Sequence, residues 1–113
     1  MNKLEELYRA VWKQMLGGIL GWSELEVCDW AKKYDNYLQN PEDIFYHEDP
    51  PYWAVSACVP VQVSQNLSPD QRCRVKNEIL SIFPVELYAA SYLGIDWKQY
   101  KNKIDSIIDS YAR

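Results

Sequence analysis

The sequence predicts an all-α fold: a compact single-domain bundle of five to six short amphipathic helices, spanning residues 1–113. Three observations carry that expectation. Apolar residues recur at three- and four-residue steps along most of the chain. Several of those stretches open on a capping box, in which Ser, Asn or Asp is followed three residues later by Glu or Gln. No pair of segments reads convincingly as partnered strands.

Asn2 and Glu5 open the first helix, and Leu4, Leu7, Tyr8, Val11, Trp12, Met15 and Leu16 give it one apolar stripe. Gly17 and Gly18 are expected to stop it. Ser23 and Glu26 form a second box, flanked by Trp22 and Val27 at the positions of a hydrophobic staple. Val27, Ala31, Tyr34 and Leu38 then mark a buried face with Trp30 and Tyr37 beside it, and Pro41 requires the helix to end by Asn40. Asn40, Pro41, Glu42 and Asp43 read as a fresh N-terminus to a helix of a turn or two, with a capping side chain, proline at the first position and acids facing the dipole.

An irregular, proline-rich loop is expected near residues 47–53, where Pro50 and Pro51 lack donors and fix their own torsions. Beyond it, Trp53 to Ser64 fits a strand period and a helical one. A helix broken at Pro60 is the better reading, because a lone strand would need a partner. Ser68, Pro69 and Gln71 open a helix through Val75, Ile79, Ile82 and Phe83, which Pro84 breaks or restarts. Val85, Tyr88, Ala89, Tyr92 and Leu93 make another stripe ended by Gly94. Asp96 and Gln99 cap the last helix, with Ile95 and Tyr100 as its staple and Trp97, Tyr100, Ile104, Ile107, Ile108 and Tyr111 as its apolar face.

A chain of 113 residues with 48% apolar and 25% charged residues has globular composition and buries roughly two thirds of its extended surface. Aromatic content, at 14%, is high. The longest apolar stretch, Met15 to Trp22, falls well short of the roughly 20 residues that span a bilayer, so no membrane span is expected. The N-terminus lacks the basic-then-apolar layout of a secretory signal, which points to the cytoplasm. Cys28, Cys58 and Cys73 are too widely spaced for a zinc knuckle or redox dithiol and suit buried thiols in a reducing compartment.

Charge is unevenly placed. Residues 22–50 hold eight acids against Lys32 and Lys33, a net −6, while the rest of the chain nets +2. Such a block attracts basic partners and repels nucleic acid or anionic membrane, although it also suits a solvated face. Within and after it runs Phe45-Tyr46-His47-Glu48-Asp49-Pro50-Pro51-Tyr52-Trp53, which joins aromatic bodies, acids and stiff prolines. Aromatic rings supply contact area at low entropy cost, and prolines hold a loop in shape before a partner arrives. The rings serve the core as readily as a partner, whereas Glu48 and Asp49 point to contact.

Signs of catalysis are weak. His47 is the only histidine, adjacent acids rarely converge on one ion, and no metal-ligand spacing is present, so no metal or other cofactor is expected. A Cys58–His47 pair, or a serine with His47, is compatible with the spacing but has no local signature. Gly17, Gly18 and Gly21 lack the strand and lysine of a phosphate loop.

Gly21-Trp22-Ser23 opening a helix with Trp30-Ala31, then Phe45 to Trp53, then Leu93-Gly94-Ile95-Asp96-Trp97, resembles small helical bacterial proteins, some of them toxin-immunity proteins. The resemblance is one of general style, covers about a fifth of the chain and carries over no functional residue. It implies a cytosolic protein that blocks a toxin by tight binding, often through acids set against a basic active site.

The sequence therefore points to a non-catalytic protein-binding domain, plausible as an immunity-type inhibitor and acting as monomer or homodimer. It would contact a basic partner protein through Glu42, Asp43, Tyr46, His47, Glu48, Asp49, Tyr52 and Trp53. The alternatives are a small-molecule binder or enzyme with an aromatic-lined pocket near His47, and a structural subunit whose aromatic surplus forms an oligomer seam.

Overall fold

The computed structural model describes residues 2–83 and 96–112. Helices α1 (Lys3–Leu20), α2 (Glu24–Ala31), α3 (Asp35–Leu38), α4 (Pro50–Ala54), α5 (Val61–Gln65), α6 (Pro69–Ser81) and α7 (Trp97–Ala112) follow one another, and 3₁₀ turns lie at Lys32–Tyr34, Ile44–His47 and Val55–Cys58. No strand occurs among the described residues. The all-α bundle read from the periodicity is the observed fold. The apolar stripe expected over Val85 to Leu93, its Gly94 cap and the staple residue Ile95 lie outside the described residues.

Helix α1 is the central element and packs against α2, α4, α7 and the 55–58 turn. Asn2 accepts from the Glu5 amide at its N-terminus. Val11, Trp12, Met15 and Leu16 are fully shielded from solvent, with Tyr8 and Ile19 nearly so. Burial of side chains this large contributes about 1.5–3 kcal/mol each, which makes this stripe the main apolar drive of the fold.

Gly17 and Gly18 do not stop α1; they lie inside it. The helix ends one turn later at Gly21, whose φ of 71° places it in the left-handed region that a Cβ disfavours. There the Trp22 amide donates to the Leu16 carbonyl at 3.2 Å, closing the helix. Gly18 instead serves packing, because a Cβ built on it would sit 2.2 Å from the Trp97 ring. Periodicity alone gives no means of telling a glycine that ends a helix from one that admits a neighbouring indole.

Ser23–Glu26 and Ser68–Gln71 make both halves of their capping boxes. Asp96 accepts from the Gln99 amide at 3.3 Å. Helix α2 passes through the 32–34 turn into α3, which ends at Leu38, within the limit that Pro41 sets at Asn40. Pro60 separates the 55–58 turn from α5, with Val59 extended between them, and the broken-helix reading of this segment holds.

Two differences bear on the middle segment. Asn40 accepts from the Glu42 amide in a turn, and it is Asp43 that caps the next helical turn, accepting from Phe45 at 2.8 Å. The fresh start expected at Pro41 is displaced because successive Asx side chains each close their own turn. The irregular stretch is also shorter than 47–53. It is confined to Glu48 and Asp49, which are extended, while Pro50 and Pro51 open α4. At the first positions of a helix the missing N–H groups had no intrahelical acceptor, so the prolines start this helix at no cost in hydrogen bonds.

Candidate functional site

The segment from Asn40 to Ala54 is fixed to α1 by its own backbone. Tyr8 donates its hydroxyl to the Glu48 carbonyl at 2.5 Å, and Trp12 donates its indole N–H to the Pro50 carbonyl at 2.9 Å. Tyr46 donates to the Leu38 carbonyl, which also accepts from the Asn2 side chain at 3.0 Å. Phe45 is buried, stacked on Trp53 with centroids 4.2 Å apart and planes 9° from parallel. Tyr37 lies parallel to the same ring at 5.8 Å, and Tyr52 meets Trp53 edge-on at 4.9 Å. Each aromatic pair adds about 0.5–1.5 kcal/mol beyond its burial, so the segment is held as a shaped unit.

This framework sorts the eight residues that the sequence put forward. Glu42, His47, Glu48, Asp49 and Tyr52 are exposed. Asp43, Tyr46 and Trp53 are half-buried, and their evident work is internal: a cap, a hydrogen bond to Leu38 and a stack on Phe45. Among the described residues none of Glu42, Glu48 and Asp49 forms an ion pair, whereas Asp35 and Glu24, earlier in the acidic block, pair with Arg9 and Lys13. The bare part of the block is therefore its end.

Sequence reasoning missed Ile44, which is 77% exposed, and Tyr37, which is 50% exposed. In a 3₁₀ turn residues three apart eclipse, so Ile44 and His47 share the outward side while Phe45 turns inward. The signal was present as the offset between Ile44 and Phe45, but reading it requires the turn type.

A cleft of about 330 Å³ lies elsewhere. It runs between α6 and the α4 segment, lined among others by Tyr34, Tyr52, Trp53, Ser56, Lys76 and Asn77. Burial pushes the Tyr34 phenol up, with the Ser56 hydroxyl pulling the other way. The Trp53 indole N–H is buried without an acceptor among the described residues. Lys33 lies over the rings of Trp30 and Tyr34, 4.9 and 5.2 Å from their centroids. A smaller cleft between α1 and α2 is lined by Arg9, Lys13 and Cys28.

His47 lines neither of these clefts. No three His, Cys, Asp or Glu side chains converge in a way that would hold a metal ion among the described residues. Of the thiols expected to be buried, Cys58 is, and its environment pushes it up to about 12; Cys28 and Cys73 are exposed, a correction to the sequence reading. Each of the two exposed thiols lines a cleft.

No family model, curated protein or solved structure matches the chain. The likeness to small helical bacterial proteins thus rests on the sequence words alone. No described helix is long and apolar enough to cross a membrane.

Proposed function

We propose that this chain is a non-catalytic protein-recognition domain that binds a basic partner through the outward side of residues 42–52, and that an immunity-type inhibitor is its narrower description. The observation that carries the reading is the pairing of a fixed framework with an unsatisfied surface. Tyr8, Trp12, Phe45 and Trp53 hold the segment from within, while Glu42, Glu48 and Asp49 form no ion pair among the described residues and Ile44, Tyr37 and Tyr52 are exposed on the same stretch of chain.

The chemistry suits recognition. Unpaired carboxylates speed encounter with a positive surface, and apolar and aromatic groups among them slow release by excluding water. A segment already ordered loses little conformational entropy on binding. A cytoplasmic setting and a toxin as the basic partner belong to the same proposal and are supported by the charge pattern and the sequence resemblance.

The test is capture from the native host with wild-type chain and with a Glu42→Lys, Glu48→Lys, Asp49→Lys variant, both checked for equal thermal stability. A basic protein retained by the wild type and lost by the variant is expected. Equal retention by both would reject this surface.

A further inference from the structure

The 330 Å³ cleft between α4 and α6 combines features that the acidic segment lacks. Cys73, Lys76, Asn77 and Leu80 recur at three- and four-residue steps, so one face of α6 supplies one wall. Tyr52 and Trp53 supply rings from the other side, and Tyr34 and Ser56 supply hydroxyls. Among the described residues no carboxylate lines it.

Its charge is anomalous for this chain. With 16 acids against 12 bases, lysines here have abundant possible partners. Yet among the described residues neither Lys33 nor Lys76 forms an ion pair. Lys33 lies 5.2 Å over the Tyr34 ring that lines the cleft, and it is pushed down, first by burial and then by the charge of Lys76. Two unpaired cations beside an aromatic cleft raise its affinity for an anion, which relieves their repulsion.

We propose that this cleft binds a small aromatic carboxylate, its ring against Tyr52 and Trp53, its carboxylate on Lys76, and Lys33 adding positive potential from beside Tyr34. The volume lies near the lower end of the ~300–1,000 Å³ range of ligand sites, which limits the ligand to one or two fused rings. Asn77 offers a further polar contact that fixes its orientation, while the Ser56 hydroxyl is already given to the Trp53 carbonyl at 2.9 Å. The site shares Tyr52 with the protein-recognition surface and Trp53 with the framework behind it.

The exposed cysteines supply the readout. Cys73 lines this cleft and Cys28 the one between α1 and α2, so alkylation by iodoacetamide, quantified for each by mass spectrometry, reports occupancy with an internal reference. The probes are 2-naphthoate and its neutral amide, 2-naphthamide. Expected is that naphthoate slows alkylation of Cys73 at least about fivefold with Cys28 unchanged, and that the amide needs about ten times the concentration. Lys76→Gln should weaken naphthoate about tenfold and Lys33→Gln about threefold. Both side chains reach solvent, so these variants are expected to fold, which a thermal melt checks. No protection of Cys73 at millimolar naphthoate, equal protection of Cys28, or equal potency of the amide would each overturn the proposal.

Discussion

The indole N–H of Trp12 donates to the carbonyl of Pro50 across 2.9 Å, joining the middle of α1 to the first residue of α4. Trp12 is wholly buried, so this bond is made away from water and has no replacement when broken. It turns α1 into the base on which the 42–53 segment is built. Trp12→Phe keeps a ring but removes the buried donor to Pro50 and leaves a small void behind. The expected loss is about 2–4 kcal/mol in urea unfolding, with faster amide exchange in residues 48–54 than elsewhere.

Gly18 provides a second test, because its helix position and its neighbour predict opposite signs. In an isolated helix Gly→Ala gains up to about 1 kcal/mol. Here the new methyl would fall within the Trp97 ring, 2.2 Å from its nearest carbon, so the ring must leave α1. Gly18→Ala is expected to destabilise by about 1–3 kcal/mol. In a Trp97→Ala background the same change should become neutral or stabilising, and a double-mutant cycle in thermal unfolding measures that reversal.

Cys58 makes stability depend on alkaline pH. Burial pushes its thiol from an ordinary value of 9.0 up to about 12, so the folded chain keeps a proton that the unfolded chain releases. Stability is therefore fully present below pH 9 and falls as pH rises above it, by about 1.4 kcal/mol at pH 10 from this group. Tyr34 and Tyr46, also pushed up by burial, add to the fall above pH 10. Cys58→Ala, less stable at pH 7 for lost volume, should show a flatter profile between pH 8 and 10 in denaturant titrations.

Arg9 joins Glu5 at 3.0 Å and Asp35 at 2.9 Å, and the two acids are not equivalent. Glu5 is buried, while the Asp35 side chain is 46% exposed. Asp35→Asn is expected to cost under about 1 kcal/mol, as for other exposed pairs. Arg9→Met strands the Glu5 carboxylate and should cost about 2–3 kcal/mol, much of it recovered by adding Glu5→Gln. Urea midpoints of the four chains check the ordering.

The helices were legible because capping and periodicity are local: Ser23, Ser68 and Asp96 each act within three residues of themselves. Misread features depended on distant partners. Gly18 needs Trp97, and the anchoring of Pro50 to α1 needs Trp12. Of the candidate surface, the exposure of Glu48 and Asp49 agreed with their charge, but only the geometry separates them from Asp43, whose carboxylate faces its own backbone. The cleft was invisible for the same reason. Tyr34, Ser56 and Lys76 carry no shared motif and line one cleft only once the 32–34 turn, the 55–58 turn and α6 pack.

The proposed recognition of a basic protein rests on the acids of a fixed segment. The most direct measurement is the affinity of the captured partner for wild-type chain and for the Glu48→Lys, Asp49→Lys variant by titration calorimetry at about 50 and 500 mM salt, across which the Debye length shrinks from about 14 to 4 Å. Wild-type affinity is expected to fall at least about tenfold with salt, and the variant to bind at least about a hundredfold more weakly at low salt with little further loss at high salt. Equal affinities for the two chains, with the same salt dependence, would contradict it.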